Sequence, residues 1–285
     1  MAVLLGAVTA AGWGASDFFG GDASGRGTPV FVVVGVSELL GVVLLVPALL
    51  ARGIAPPADP RLLLAAVAGV AVTVELSLVY LALSRGDAFI TAPVGALGAA
   101  VAVTIGILGG DSLDLTIAAG LVLALLGGGI SAWTSGPGTG HGSALRTAAI
   151  CLAAATAVGA MLTCFHAAGR LDAYWATATE HASSAISAGF AAAVTTRQPL
   201  RTLRPPRSLL PALSRIAAVG VAGDIAYAAA SRHGALSIVS ALSSLYPVTT
   251  ILLGRVLLRR RASRHQLLGV TLALLGAALL GFAEG

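Results

Sequence analysis

The chain has 285 residues, of which 57% are hydrophobic and only 10% charged, with a mean hydropathy of +0.93; soluble domains carry about 25% charged residues, so a polytopic membrane protein is expected and no soluble domain of useful size. All 17 basic residues are arginine, which removes the lysine of a P-loop ATPase and lysine-based covalent chemistry. The isoelectric point near 10.0 would suggest nucleic acid in a soluble protein, but arginines in short loops between apolar spans set topology and meet anionic lipid headgroups, so the partner expected is a lipid bilayer and not a nucleic acid.

A hydrocarbon core of about 30 Å needs about 20 apolar residues per helix, with every backbone group paired inside it. The pattern predicts ten spans: Ala2–Gly21, Pro29–Ala51, Leu62–Ser84, Ala88–Gly109, Leu115–Thr134, Ala144–Ala168, Ala173–Thr195, Leu209–Ser231, Ala235–Leu258 and Gln266–Phe282. The first lacks a basic n-region and reads as a full-length helix, not a cleaved leader. Turn residues mark the breaks, chiefly Arg52 to Pro60, the Gly/Pro-rich Gly136–Gly142, and Arg197 to Arg207. With so little chain outside the bilayer, the function is expected within it. Cys151 and Cys164 share one apolar stretch without metal spacing and read as inert thiols. No metal or cofactor is expected.

The chain repeats itself. Gly269-Val-Thr-Leu-Ala-Leu-Leu-Gly276 matches Gly120-Leu-Val-Leu-Ala-Leu-Leu-Gly127 at six of eight positions. Polar residues recur at a similar offset: Tyr80 with Tyr227, Ser84-Arg85 with Ser231-Arg232, Thr9 to Gly12 with Thr156 to Gly159, and Ser37-Glu38 with Thr179-Glu180. These matches predict a five-helix unit used twice, over residues 1–135 and 143–285, joined by 136–142. Because five is odd, the two halves face opposite ways across the membrane. The fold class expected is therefore all-α, with about ten transmembrane helices in two inverted five-helix repeats, the plan of secondary transporters with a midplane site between the repeats. The many glycines fit close helix packing in lipid, and Gly127-Gly128-Gly129 is read as packing.

Five of the twelve acids fall within spans: Asp17, Glu38, Glu75, Glu180 and Asp224. At a helix centre a charged acid costs about 2.5–3.5 kcal/mol on insertion scales, so each must face a cavity, pair or carry a proton. Glu38 and Glu75 lie near the middle of their spans and are the first candidates for substrate or proton binding. Glu180 mirrors Glu38. His181 points about 100° away from it around the helix and is expected to face a different neighbour. Asp17, a turn from the end of its span, is read as either interfacial or cavity-facing, and Asp224 shares a face with Tyr227. Each acid has the alternative of a hydrogen-bonded helix contact. His166 is read as a core histidine or a relay, and Trp13 as cavity wall or space-filler. Arg215 and Arg255 are the nearest basic residues, both close to span ends and able to snorkel. An interior rich in acids and poor in arginine favours a cation, an amine-bearing substrate or protons.

The organisation resembles the drug/metabolite transporter superfamily, in its ten-helix EamA branch. The resemblance rests on Trp13-Gly-Ala-Ser-Asp-Phe18, with aspartate where asparagine is usual, on Tyr80 to Ala88 followed by Pro93, on the turn Gly110-Asp-Ser-Leu113, and on Tyr246-Pro247. Arg259-Arg260-Arg261 departs from it, standing where an acidic turn is common. The resemblance implies helices 1–4 and 6–9 around a central cavity, with helices 5 and 10 outside. It also implies Trp13 as cavity wall and a small-molecule substrate such as an amino acid, another metabolite, a nucleotide-sugar or a cationic drug; Tyr80 and Tyr227 are read with it as wall residues. A homodimer is an allowed assembly.

The function expected is secondary transport across the cytoplasmic membrane, with export by proton antiport for a cationic substrate and uniport for a neutral metabolite or amino acid. The alternative from another class is a polytopic enzyme acting on a lipid-linked substrate, with Asp111 and Asp114 as half of a metal site. Against it, Asp114 also reads as a helix N-cap or first-turn acid, and the hydrolase and zinc-protease marks are missing.

Orientation has two readings. The loops on the side of the termini hold four arginines and the other side eleven, which by the positive-inside rule places both termini outside; the family resemblance places both inside. With five spans before it, a single cysteine at Thr139 is on the side opposite the termini. Impermeant maleimide labels it in intact cells if the termini are cytoplasmic, and only after permeabilisation if they are not.

Overall fold

In a computed structural model the chain is all-helical over the residues described, 1–25, 28–83, 91–132, 144–199, 205–257 and 263–284. The 136–142 joint, Thr139, Ser84 to Asp87 and several loop arginines lie outside them, as does the side chain of Tyr80. The helices are α1 (Ala2–Gly25), α2 (Val30–Arg52), α3 (Leu63–Leu83), α4 (Thr91–Leu108), α5 (Leu115–Ala132), α6 (Ala144–Gly169), α7 (Ala173–Thr196), α8 (Leu210–Ala230), α9 (Leu236–Ser243), α10 (Tyr246–Leu257) and α11 (Arg264–Glu284). Among the described residues seven segments are long and apolar enough to cross a membrane, and α4 and α5 contain shorter apolar runs. Large apolar side chains such as Leu4, Val43, Val67, Ile186, Phe190 and Leu274 stand exposed on the outer surface, as a lipid-facing surface requires. The protein is a polytopic membrane protein.

Two boundaries differ from the expectation. α1 runs on to Gly25, which puts Asp17 two turns inside the helix instead of one from its end. The single ninth span expected over Ala235–Leu258 is two helices, α9 and α10, broken at Ser244 and Leu245. Pro247 has no N–H to give the carbonyl of Ser243, and the Ser244 hydroxyl turns back to the Ala241 carbonyl at 2.7 Å.

Helices pair across the halves. α1 packs on α8, α3 on α6 and α7, α2 on α7 and α8, and α5 on α11. In lipid no water-driven term separates helix contacts from lipid contacts, so close backbone approach through small residues carries association. The twinned glycine stretches are such a contact: they pack on each other. A Cβ at Gly127 would meet the backbone of Ala273 and the Gly269 carbonyl, and one at Gly276 would meet the backbone of Ala124 and the Gly120 carbonyl. A similar contact joins α1 to α8, where a Cβ on Gly12 would fall 2.7 Å from the Gly223 Cα.

The ends of helices are satisfied by acids. Asp114 accepts from Ile117 N at 2.8 Å and caps α5; Asp111 accepts from Ser237 N at 2.8 Å and caps α9, across the halves. Both carboxylates of the suggested enzyme half-site are thus engaged with backbone N–H groups. Asp172 caps α7 through Tyr174 N and Trp175 N at 3.0 and 2.9 Å. It also accepts from both terminal guanidinium nitrogens of Arg52, at the end of α2, at 2.9 and 2.5 Å. Arg52 in turn lies 4.4 Å from the centre of the Tyr174 ring.

Two outcomes follow from these contacts. Gly127→Val drives a branched side chain into the α11 backbone. Overpacking of this kind costs about 1–3 kcal/mol and is expected to lower the melting temperature of the purified protein, whereas Gly20→Ala, in open space within α1, is expected to leave it unchanged or raise it slightly. Hydrogen bonding to Arg52 holds the Asp172 carboxyl below its ordinary value, so its contribution is complete above the usual carboxylate range and is lost as pH falls through the depressed value. Asp172→Asn is expected to be less heat-stable than wild type at pH 7, with the difference shrinking as thermal scans are taken below pH 4.

Candidate functional site

A cavity of about 260 Å³ lies among α1, α2, α3, α4, α6, α7, α8 and the α9–α10 break. All five intramembrane acids line it: Asp17 from α1, Glu38 from α2, Glu75 from α3, Glu180 from α7 and Asp224 from α8. Among its described lining residues none is basic, and none comes from α5 or α11. A larger groove of about 730 Å³ between α2, α3 and α7 is lined mostly by apolar side chains such as Val42, Val46, Leu50 and Ile186. It holds none of the acids and reads as lipid-facing.

The acids fall into two groups. In the first, His181 lies between two carboxylates. Its Nδ1 contacts Glu38 Oε2, and its Nε2 is 3.0 Å from Asp224 Oδ2. These are ion-pair contacts; neither ring nitrogen has a partner in hydrogen-bonding geometry. A neutral imidazole carries one N–H, so only the doubly protonated ring donates to both sides at once. Glu180 sits beside this pair: donor atoms of Glu38, Glu180 and His181 all lie within 4.8 Å of one another. His181 therefore shares a neighbour with Glu180, against the expectation that the 100° step around α7 would separate them. The space for the ring comes from α2, where a Cβ on Gly41 would stand 2.8 Å from His181 Nδ1. Gly41 is three residues after Glu38, so both face α7. Likewise a Cβ on Gly69 of α3 would strike the Glu180 carbonyl.

The second group is Asp17 and Glu75, electrostatic neighbours of each other and of Tyr246. The Tyr246 hydroxyl reaches α4, 2.8 Å from where a Cβ on Gly95 would be. Tyr246 and Ser244 reach the cavity because the helix breaks between them. In a membrane, irregular backbone is tolerated where it is buried or lines a cavity.

Trp13 joins the cavity to the core. Its Nε1 donates to Asp224 Oδ1 at 2.8 Å, and its ring stacks on Tyr227 at 5.3 Å, which stacks on Phe165 at 5.4 Å. A Cβ on Gly223 would press to 2.8 Å from the indole. Trp13 lines the cavity; Tyr227 is fully buried beneath it, and its hydroxyl donates to the Leu162 carbonyl at 2.7 Å. His166 is buried on α6, next to Phe165 in the chain, and is not among the residues that line the cavity. Arg215 lies 5.6 Å from the centre of the Phe19 ring and bonds the Pro211 carbonyl of its own helix at 3.3 Å.

His181 was legible only as a histidine next to an acid, Tyr246 only as part of a Tyr-Pro pair, and Gly41, Gly95 and Gly223 only as members of a glycine-rich composition. Their roles depend on partners from other helices, for which periodicity gives no signal.

Residues 145–282 match the EamA-like transporter family. Among solved structures, one described only as the crystal structure of a protein superposes with a TM-score of 0.78 at 21% identity, covering 99% of this chain and 97% of that chain. At that identity the likeness is one of fold. No curated protein matches the chain in sequence.

Proposed function

We propose that the chain is a secondary transporter of the EamA type, within the drug/metabolite transporter superfamily, that exports a small amine-bearing or otherwise cationic compound across the cytoplasmic membrane in exchange for protons. The observation that carries this reading is the convergence of five acids, from five helices and both halves, on one cavity free of arginine among its described lining residues. The family match over residues 145–282 and the shared fold of the solved structure support the transporter class. The cavity, about 260 Å³, is just below the usual range of small-molecule pockets, about 300–1,000 Å³, so the cargo is compact.

Residues 1–135 and 143–285 form two inverted repeats in this reading. It is supported by reciprocal pairing: exchanging the halves turns the α1–α8 contact into α6–α3, and leaves α2–α7 and α5–α11 as self-paired. The cavity then lies between the repeats, where rocking of one against the other gives alternating access. A carboxylate holds either a proton or a cationic group, so release of one is tied to uptake of the other. Glu38 and Glu75 are the first exchange sites, with Glu180 and Asp224 opposing them from the second half and Asp17 beside Glu75.

The test is flux in proteoliposomes under an imposed pH gradient, first screening amines and cationic metabolites with wild type. Glu38→Gln and Glu75→Gln, each eluting as a folded protein, are expected to lower proton-driven flux by roughly tenfold or more, the effect of about 1.4 kcal/mol at the site. Flux whose rate and pH dependence are unchanged in both variants rules the carboxylate exchange out at these positions.

A further inference from the structure

Glu38, Glu180 and His181 carry a function beyond holding an organic cation. We propose that they form a binding site for one divalent first-row transition-metal ion, of the zinc, cobalt or nickel kind. The donor atoms belong to two helices, α2 and α7, more than a hundred residues apart in the chain, and lie within 4.8 Å of one another. Two carboxylate oxygens and an imidazole nitrogen are the ligand types these ions take, and three protein ligands with open positions are the pattern of an exchangeable site.

Three further observations separate this site from a mere acidic cluster. First, His181 is 2% exposed, and its contacts with Glu38 Oε2 and Asp224 Oδ2 are ion-pair contacts out of hydrogen-bonding geometry. Buried polar atoms normally make well-aligned bonds; a metal on Nδ1 and Oε2, with those two atoms parted to ligand spacing, would satisfy both. Second, the supporting shell is present. Asp224 Oδ2 is 3.0 Å from His181 Nε2, and Asp224 Oδ1 takes the Trp13 N–H at 2.8 Å. A metal-bound histidine typically gives its second N–H to a carboxylate, which fixes the ring and the tautomer. Here that leaves Nδ1, the nitrogen on the Glu38 side, as the ligand. Third, the ion lessens the unbalanced charge. A divalent ion and a neutral imidazole among the carboxylates of Glu38, Glu180 and Asp224 leave a net charge of about −1, against about −2 for an imidazolium among the same three, so less uncompensated charge is held out of water. Glu38 and Glu180 line the cavity, so an ion entering it meets two of the three ligands directly.

The site stands in the same cavity as the proposed transport site but does not rest on transport, and its test needs none. Protein purified without a polyhistidine tag, stripped with chelator and reconstituted in nanodiscs, is titrated with Co²⁺ followed by its visible absorption, and with Zn²⁺ in competition. One ion per chain is expected, with a ligand-field spectrum. His181→Asn, Glu38→Gln and Glu180→Gln should each weaken binding by roughly 100-fold or more, and Asp224→Asn by about 10–100-fold, as loss of an outer-shell partner does. His233→Asn, in the exposed turn after α8, should bind as wild type does. Wild type without saturable Co²⁺ or Zn²⁺ binding overturns the site, whether or not the variants fold. So does binding that survives His181→Asn, or binding removed by His233→Asn, which marks an adventitious surface site. Loss of the metal site with proton-driven flux intact would leave the transport reading standing; metal binding intact with no flux for any solute would do the reverse.

Discussion

A carboxylate facing lipid tails has no partner for its charge, and this constraint shapes the inner half of the protein. Five acids in apolar helices can be accommodated together if they turn inward onto a shared space and share counter-charges. The contact of His181 with Glu38 and Asp224 is the clearest instance. It ties α7 to α2 and to α8, joins the two halves of the chain, and through Asp224 and Trp13 extends into the Trp13–Tyr227–Phe165 stack. α7 makes further polar contacts inside a mostly apolar bundle: Ser183 donates to the Ala66 carbonyl at 2.7 Å, and the Ser187 hydroxyl lies 2.7 Å from that of Thr73.

Glycine is what makes these contacts geometrically attainable. At Gly41, Gly69 and Gly223 the missing side chain is the space occupied by His181, by the α7 backbone at Glu180 and by Trp13. At Gly127 and Gly276 the same absence lets α5 and α11 meet along their backbones, away from the cavity. One residue type thus serves two ends: positioning of functional side chains in the centre and helix association at the periphery.

The break between α9 and α10 belongs to the same logic. A continuous ninth helix would satisfy its backbone internally; in the interrupted one Ser244 and Tyr246 line the cavity at the break, while Asp111 caps the first turn of α9. Irregular backbone at membrane depth is tolerated here because it lines the cavity and does not face lipid.

The sequence by itself determined the class and the ingredients. Composition required a membrane protein, because so few charges cannot solvate a surface; apolar run length located the helices; and the insertion cost singled out Asp17, Glu38, Glu75, Glu180 and Asp224, all of which line one cavity. It also marked the twin glycine stretches, though not that they pack on each other. Only the tertiary structure decided that His181 joins Glu180 at Glu38, that Asp17 lies well inside α1, that Tyr227 sits beneath Trp13 and not at the cavity surface, and that the ninth span is broken. The reason is physical. Burial cost and periodicity are properties of one helix and can be read along it, whereas the partner of a buried polar atom is set by which helix faces it, at what height and with how small a residue between them.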